Sequence, residues 1–572
     1  MCLSKLTSTC TFILLIGVAI LVVISIALNA AILSVINKRF DELKPENGQT
    51  TSKTTVSSSP TMTSTTRPSI YFNLADSIRI EDLMNHLNEL QRIADNAGNT
   101  RAIGTRGFTE TVNYIHNYLR NNAPTLNVFR ESLPIQNFTI KGNPILISTI
   151  NNTNKTFSYS TNLARSDFTY VNYSAQITLT KFNLIVVPNY GCDEFDWQNV
   201  AGRAALVVVG GACTNAEKGE LANKYNASAL LYYNNGLTTT NLAPVIIRLR
   251  QTNKLPALYL SYVAGQELVN AANLNNVSIW LRIERENYTS FIVENICADT
   301  REGNINETIV VGGHSDSVPA GPGINDNGSG TMAILVLATN LARLYQSGNY
   351  AKYRYRVRFC WWAAEEIGLV GSVYHAQQAQ TSSATPGNRL QDYLINLNYD
   401  MLGSPNYILG IYNGSSAKPG TPSWAINGSV RISDVFRSWF IEKNLPWDFT
   451  DFSGRSDYGP FLAAGIVANG LFSGADETKT AEQRNRYEEK LGQGQGGLAG
   501  AILDPCYHRV CDTTDNINQL GYEKMVQAAA YMLEYLGQKD DLPTWLYPAG
   551  RPKPRLPDDY FPNSDYFRDI DI

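Results

Sequence analysis

The sequence has no excess of charge of either sign: 47 lysines and arginines face 51 aspartates and glutamates, for a net charge of −4. A basic surface able to hold a phosphate backbone is therefore not expected, and nucleic acid is excluded as a partner on charge. Charged residues make up only 17% of the chain and hydrophobic ones 44%. That balance excludes a largely disordered protein. Histidine is scarce, with five in 572 residues, so each can be weighed separately. No internal repeat is apparent. The length exceeds what one ordinary core fills, so two folded domains with accessory segments are expected.

One long apolar run is present. From Phe12 to Ile36 the sequence is almost continuously hydrophobic, longer than the roughly 20 residues that cross a bilayer as a helix. A cleavable signal has an apolar region of only about 7–15 residues. The expectation is an uncleaved signal-anchor helix over 12–36 behind a short cytoplasmic segment, 1–11. Small residues at Ala27, Ala30 and Ala31 leave secretion after cleavage as the alternative. Residues 44–68 are rich in Ser, Thr and Pro and read as an exposed stalk.

Asn-x-Ser/Thr acceptors stand at Asn137, Asn151, Asn154, Asn172, Asn226, Asn276, Asn287, Asn306, Asn327, Asn413 and Asn427. So many acceptors behind an apolar N-terminal segment point to the secretory pathway, with a glycosylated lumenal or extracellular body. Six cysteines follow the apolar segment, an even number that permits disulfides there. Cys192–Cys213 and Cys506–Cys511 are the expected pairs. Cys297 and Cys360 sit in apolar runs and read as buried free thiols.

Folded sequence begins near Asn73. IEDLMNHLNELQRIA, from Ile80, and TVNYIHNYLR carry apolar residues at helical spacing. Residues 140–288 change character to short β-rich runs. From 289 to 540 apolar strands alternate with helical patterns, the signature of an α/β domain with a mixed, mainly parallel central sheet flanked by helices. Residues 73–139 belong with that domain, and 541–572 read as an irregular tail.

Three apolar strands end in metal-capable residues. ETIVVGG runs into His314 and Asp316, YRVRFCWWAA into Glu365 and Glu366, and YLINLNY into Asp400. In open α/β sheets ligands bind beyond the carboxyl ends of the strands. Asp326 lies on the glycine-rich loop GPGINDNGSG, placed to bridge two cations, and His508 in DPCYHRVC adds a second imidazole. Two histidines and three carboxylates suit two Zn2+ ions with open coordination. Adjacent side chains point apart, so Glu366 reads as a ligand and Glu365 as a free general base. Asp316 reads as the partner that orients His314. His86, His116 and His375 lie in helical patterns and read as structural. Asp512 reads as part of an exposed turn, with orientation of His508 as the alternative.

The blocks GGHSDSVPAGPGINDNGSG, CWWAAEEIGLVGS, NLNYDMLGSPN, GRSDYGPFLAAGI and DPCYHRVCDT resemble the aminopeptidase Y group of co-catalytic zinc metallopeptidases. The resemblance implies the zinc exopeptidase fold, one zinc held by His314 and Glu366, the other by Asp400 and His508, and Asp326 between them. It implies a non-proline cis peptide at Asp326–Asn327, so that Asn327 is buried and carries no sugar. Tyr507 would donate to the oxyanion, and Arg455 would serve the same role or bind substrate, with a structural salt bridge as the alternative. The segment GCDEFDWQNVAGRAALVVVGGACTNAEKGELANKYNASALLYYNN looks like a protease-associated (PA) domain inserted over 140–288. Together these imply hydrolysis of the first peptide bond of peptides with a free N-terminus, with apolar first residues such as Leu. Other uses of the same ligands remain open: a carboxypeptidase, a dipeptidase, a glutaminyl cyclase, or an inactive receptor-like ectodomain. The oligomeric state is not legible.

Overall fold

The structure, a computed structural model, describes residues 73–557 apart from Asn137, Ala212, Thr214 and the short stretches 238–241, 250–252, 275–276, 287–289, 382–383 and 418–420. The expected membrane segment 12–36, the stalk 44–68 and the end of the tail lie outside the described residues. Among the described residues no helix is long and apolar enough to cross a membrane.

Two eight-stranded sheets organise the described residues. Strand β1 (Asn127–Gln136) precedes the insert. Within the insert come β2 (Ile145–Ile150), β3 (Thr153–Thr156), β4 (Phe168–Tyr170), β5 (Ile177–Val186), β6 (Ala204–Val208), β7 (Ala229–Tyr233), β8 (Ala257–Leu260) and β9 (Val277–Ile283). After it come β10 (Ser290–Asp299), β11 (Asn304–His314), β12 (Tyr355–Trp362), β13 (Tyr393–Tyr399), β14 (Gly410–Tyr412), β15 (Asp448–Thr450) and β16 (Val467–Phe472).

The larger sheet runs in the order β1-β10-β12-β11-β13-β16-β14-β15. Its centre, β12-β11-β13-β16, is parallel; β1 and β10 pair antiparallel with their neighbours, and β14 pairs antiparallel with β16 and parallel with β15. The central strands are buried along their length, β11 from Thr308 onward, as expected where helices cover both faces of a parallel sheet. The helix Gly330–Gln346 is almost wholly buried. The helices Ile80–Asp95 and Arg106–Asn122 present the predicted faces, Leu83, Leu87, Leu90 and Ile93 on one and Phe108, Val112, Ile115 and Leu119 on the other.

The insert's sheet runs β3-β2-β9-β5-β6-β7-β8-β4. It carries its own apolar cores and two helices, Asn215–Lys224 and Tyr262–Leu274, so it is less purely β than its sequence reads.

Two expectations need correction. Cys297 and Cys360 are not free thiols: they form a third disulfide beside Cys192–Cys213 and Cys506–Cys511. The reason is register. Strands β10 and β12 are antiparallel neighbours, and Cys297 stands directly opposite Cys360 with Cα atoms 4.2 Å apart. Two apolar runs 63 positions apart do not show this pairing. Second, the described part of the segment after 540 is not wholly irregular. It forms the helix Leu542–Leu546, buries Leu542, Leu546 and Leu556, and ties Tyr547 Oη to the Leu394 carbonyl at 2.7 Å. Proline hides these anchors from a compositional reading.

Candidate metal centre

The parallel register brings three strand ends level. His314 pairs with Trp362 across β11 and β12, and Gly312 pairs with Asn398 across β11 and β13. His314, the Glu365–Glu366 doublet and Asp400 therefore leave the sheet at one edge. The turns that aim them are unusual for residues with a Cβ: Ala364, Met401 and His508 adopt left-handed backbone, with φ of 61°, 50° and 57°. Asp326 reaches the same edge from the loop before the helix Gly330–Gln346, and the Asp326–Asn327 peptide is cis, as the resemblance implies.

Asn327 is fully buried. Its side chain donates to the Tyr399 carbonyl at 3.0 Å and accepts from Gly330 N and Met401 N. An amide committed in this way is shielded from modification. Asn151, Asn154, Asn226, Asn306 and Asn427, by contrast, are exposed.

The five donors divide into two groups that share Asp326. His314 Nε2 lies 3.4 Å from Asp326 Oδ1 and 3.5 Å from Asp400 Oδ1. His508 Nε2 lies 3.0 Å from Asp326 Oδ2 and 3.3 Å from Glu366 Oε2. This corrects the pairing implied by the resemblance: Asp400 accompanies His314, and Glu366 accompanies His508. The physical reason is sheet order. Strand β11 lies between β12 and β13, and His314 turns toward β13, leaving Glu366 on the side that the His508 loop approaches.

This donor set fits divalent cations. Glu366 Oε1 and Asp400 Oδ1 are buried without a hydrogen-bond partner, and Glu366 Oε2 and His508 Nε2 face only one another and Asp326, a costly state unless something else satisfies them. Electrostatics agree. Burial pushes Glu365 well above the usual carboxylate range, and Glu366 up to about 7. Against the same burial, Glu366 and Asp326 hold the His508 imidazolium up to about 10. Crowded carboxylates that must otherwise retain protons gain a natural counter-charge from divalent cations.

The supporting residues are as specific. Asp316 is fully buried; its carboxylate lies 3.7 Å from His314 Nδ1 and accepts from the backbone N–H groups of Glu365 and Glu366 at 3.1 and 3.3 Å. One carboxylate thus steadies a candidate donor and the doublet together. Ser456 donates to Asp400 Oδ2 at 2.6 Å. Tyr507 stacks on His508 with ring centroids 3.8 Å apart. Arg455 and Tyr507 line a pocket with His314, Asp326 and Asp400. Among the other histidines, His86 bonds Tyr114 and His375 lies between Glu131 and Tyr393. Neither they nor His116 belong to either donor group.

Three contributors escape the sequence reading. Asp512 is not in an exposed turn: it is 1% exposed and accepts from Asn325 N and Asp326 N at 2.8 and 3.0 Å. Arg101 is completely buried and donates to the carbonyls of Ser315, Pro322 and Gly323 at 2.6, 2.8 and 2.5 Å, holding the loop that leads to Asp326. Asp457 is buried beside the site, and burial pushes its carboxyl up to about 7. The GRSDYGPF block was the available signal for Asp457. No local signal marks Arg101.

Comparison with known proteins agrees with this geometry. The pattern of peptidase family M28 matches residues 295–533, and that of the PA domain matches residues 180–268. A probable leucine aminopeptidase 2 of Aspergillus fumigatus is 36% identical over 383 residues, covering 66% of this chain and 70% of the relative. Leucine aminopeptidase 2 of Trichophyton rubrum is 31% identical over 477 residues, covering 82% and 87%. The solved aminopeptidase from Aneurinibacillus sp. strain AM-1 shares the fold, with a TM-score of 0.57 over 86% of this chain and 98% of that one at 19% identity. The chain therefore belongs to peptidase family M28, among the zinc metalloaminopeptidases that carry an inserted PA domain.

Proposed function

We propose that this zinc aminopeptidase removes one residue at a time from peptides with a free N-terminus, and that its site holds two Zn2+ ions. His314 and Asp400 would hold one ion, Glu366 and His508 the other, and Asp326 would join them. Bound there, zinc supplies Lewis acidity toward the scissile carbonyl and makes water a stronger nucleophile at neutral pH.

The remaining work falls to the chain. Glu365 takes the proton of the attacking water and passes it to the leaving amine as the C–N bond breaks. Its position beside His314, 3.9 Å from Nε2, and a carboxyl poised high by burial suit both halves of that exchange. Tyr507, whose phenol burial keeps protonated, donates to the oxyanion. Asp316 orients His314 and the doublet.

The observation that carries the reading is the pocket beside His314, Asp326 and Asp400. It encloses only about 90 Å³ and is walled by Met401, Tyr412, Tyr458 and Phe472, with Asp451, Asp476 and Glu477 also on its lining. Such a space suits one apolar side chain and its ammonium group. The aromatic walls and the names of the relatives support leucine as a good first residue.

The test compares a leucyl reporter with its N-acetylated form. Turnover of the free-amine form alone is expected. Cleavage of the acetylated form, release from the C-terminus, or cyclisation of N-terminal glutamine would replace this reading.

We also place the chain in the secretory pathway, anchored through 12–36 with its catalytic body lumenal or extracellular. Three disulfides and the exposed sequons support that side. Retention in membranes after alkaline extraction is expected, and release would favour cleavage and secretion.

A further inference from the structure

Two hollows meet the donor cluster, and they differ in size. The pocket beside His314 and Asp400 encloses about 90 Å³. On the other flank, Asp316 and Glu366 open onto a cleft of about 530 Å³ between the peptidase body and the insert. An enzyme that cuts after one residue needs room for a single side chain on one side of the scissile bond. On the other it must receive everything that follows. The sizes assign the small pocket to the first residue and the cleft to the leaving portion of the peptide. This inference rests on the aminopeptidase reading above.

The cleft has two walls of different origin. Ile103, Phe291 and Ile367 come from the peptidase side, Tyr170 and Val245 from the insert, and Phe138 from the connection that leads from β1 into it. Its charged lining residues are Asp316 and Glu366, both committed to the metal centre, and Arg248 from the insert. Arg248 is the one lysine or arginine among the described lining residues. Its position is set by the backbone: Leu249 N donates to the Asn172 carbonyl at 3.0 Å and Asn172 N to the Ile247 carbonyl at 2.8 Å. Its guanidinium lies 5.9 Å from the centre of the Tyr173 ring, and Tyr173 Oη donates to the Gln136 carbonyl at the end of β1. The residue is therefore held where the insert joins the peptidase body.

We propose that the inserted domain forms the far wall of the leaving-peptide subsite, and that Arg248 receives a carboxylate of that peptide. The one charge every unmodified peptide carries on this side of the cut is its C-terminal carboxylate. A guanidinium pairs with a carboxylate through two parallel hydrogen bonds. In an apolar cleft that pairing is stronger than in open water. The insert then acts as a length gauge: peptides short enough to bring their terminus to Arg248 are favoured. An acidic side chain after the cut offers the same chemistry, so the shared ligand is a peptide carboxylate.

The test uses the full-length chain in detergent with Leu-Ala-Ala, its C-terminal amide, Leu-Ala-Glu amide and leucine 4-nitroanilide. In the wild type, kcat/KM for the free acid should exceed that for the amide by about tenfold, the scale of one charge-assisted pair. Arg248→Gln should bring the ratio near one and leave nitroanilide turnover within about twofold, while Arg248→Lys keeps part of the preference. Recovery with Leu-Ala-Glu amide assigns the acidic side chain as a recognised group, and no recovery assigns the terminus alone; either supports the subsite. Equal rates for acid and amide in the wild type, or a preference that survives Arg248→Gln, would overturn the proposal. The wild-type comparison stands even if Arg248→Gln does not fold. Absence of nitroanilide turnover in the wild type would overturn the aminopeptidase reading, and this inference with it.

Discussion

Asp512 Oδ2 accepts the backbone N–H of Asp326 at 3.0 Å, so the carboxylate shared by the two donor groups is positioned by a second carboxylate four residues beyond His508. Because Asp512 also holds Asn325 N, its loss frees the backbone on the approach to the shared ligand. Asp512→Ala is expected to weaken zinc binding by about 10–100-fold, the scale seen for groups that orient metal ligands, with a smaller loss for Asp512→Asn. Zinc retained in buffered-metal dialysis checks this, and unchanged affinity would contradict it.

Glu365→Gln separates base from ligand. The side chain keeps its shape, and the donor groups around Asp326 are untouched. The expected result is a fall in kcat of about 10²–10⁴-fold, with zinc content retained and KM little changed. Glu366→Gln should lose zinc as well as rate. If the two variants lose metal equally, the roles within the doublet are misassigned.

How much of this was legible differs by residue. His314, the Glu365–Glu366 doublet and Asp400 each follow an apolar strand, so a rule about strand ends finds them. Which donors face one another depends on β11 lying between β12 and β13 and on side-chain direction, neither of which spacing encodes. Asp512 sits among residues that read as a turn and is nonetheless buried by the loop before it. The Cys297–Cys360 bond needed the β10–β12 register. Arg101 is distant in sequence, 214 positions from the Ser315 carbonyl it holds, and nothing local announces it.

Arg101 gives a prediction of its own. Arg101→Met leaves the carbonyls of Ser315, Pro322 and Gly323 without their donor, at a cost of roughly 1–3 kcal/mol for each group left buried. The expected outcome is a clear drop in the thermal unfolding midpoint, together with weaker zinc retention. A drop in midpoint with full zinc affinity would confine Arg101 to fold stability.

His86 sets a pH dependence away from the metals. Burial lowers its pKa from 6.5 to about 4, with Arg343 assisting and Asp82 opposing. It stays neutral against Tyr114 Oη at 2.6 Å and edge-on to Tyr118. The unfolded chain binds the proton first, so this contribution is complete above about 6.5 and is lost as pH falls toward 4. It amounts to roughly 3 kcal/mol. In unfolding experiments, the stability difference between wild type and His86→Gln should shrink by about that much from pH 7 to 4. A difference independent of pH would contradict the assignment.

The central claim is that two donor groups sharing Asp326 make a two-zinc aminopeptidase. The most direct measurement strips the protein with a chelator, then titrates zinc while following hydrolysis of leucine 4-nitroanilide and bound metal together. The account predicts no turnover in the stripped protein, with full activity and saturation at two zinc ions per chain. Saturation at one ion with full activity, or turnover that survives chelation, would contradict it.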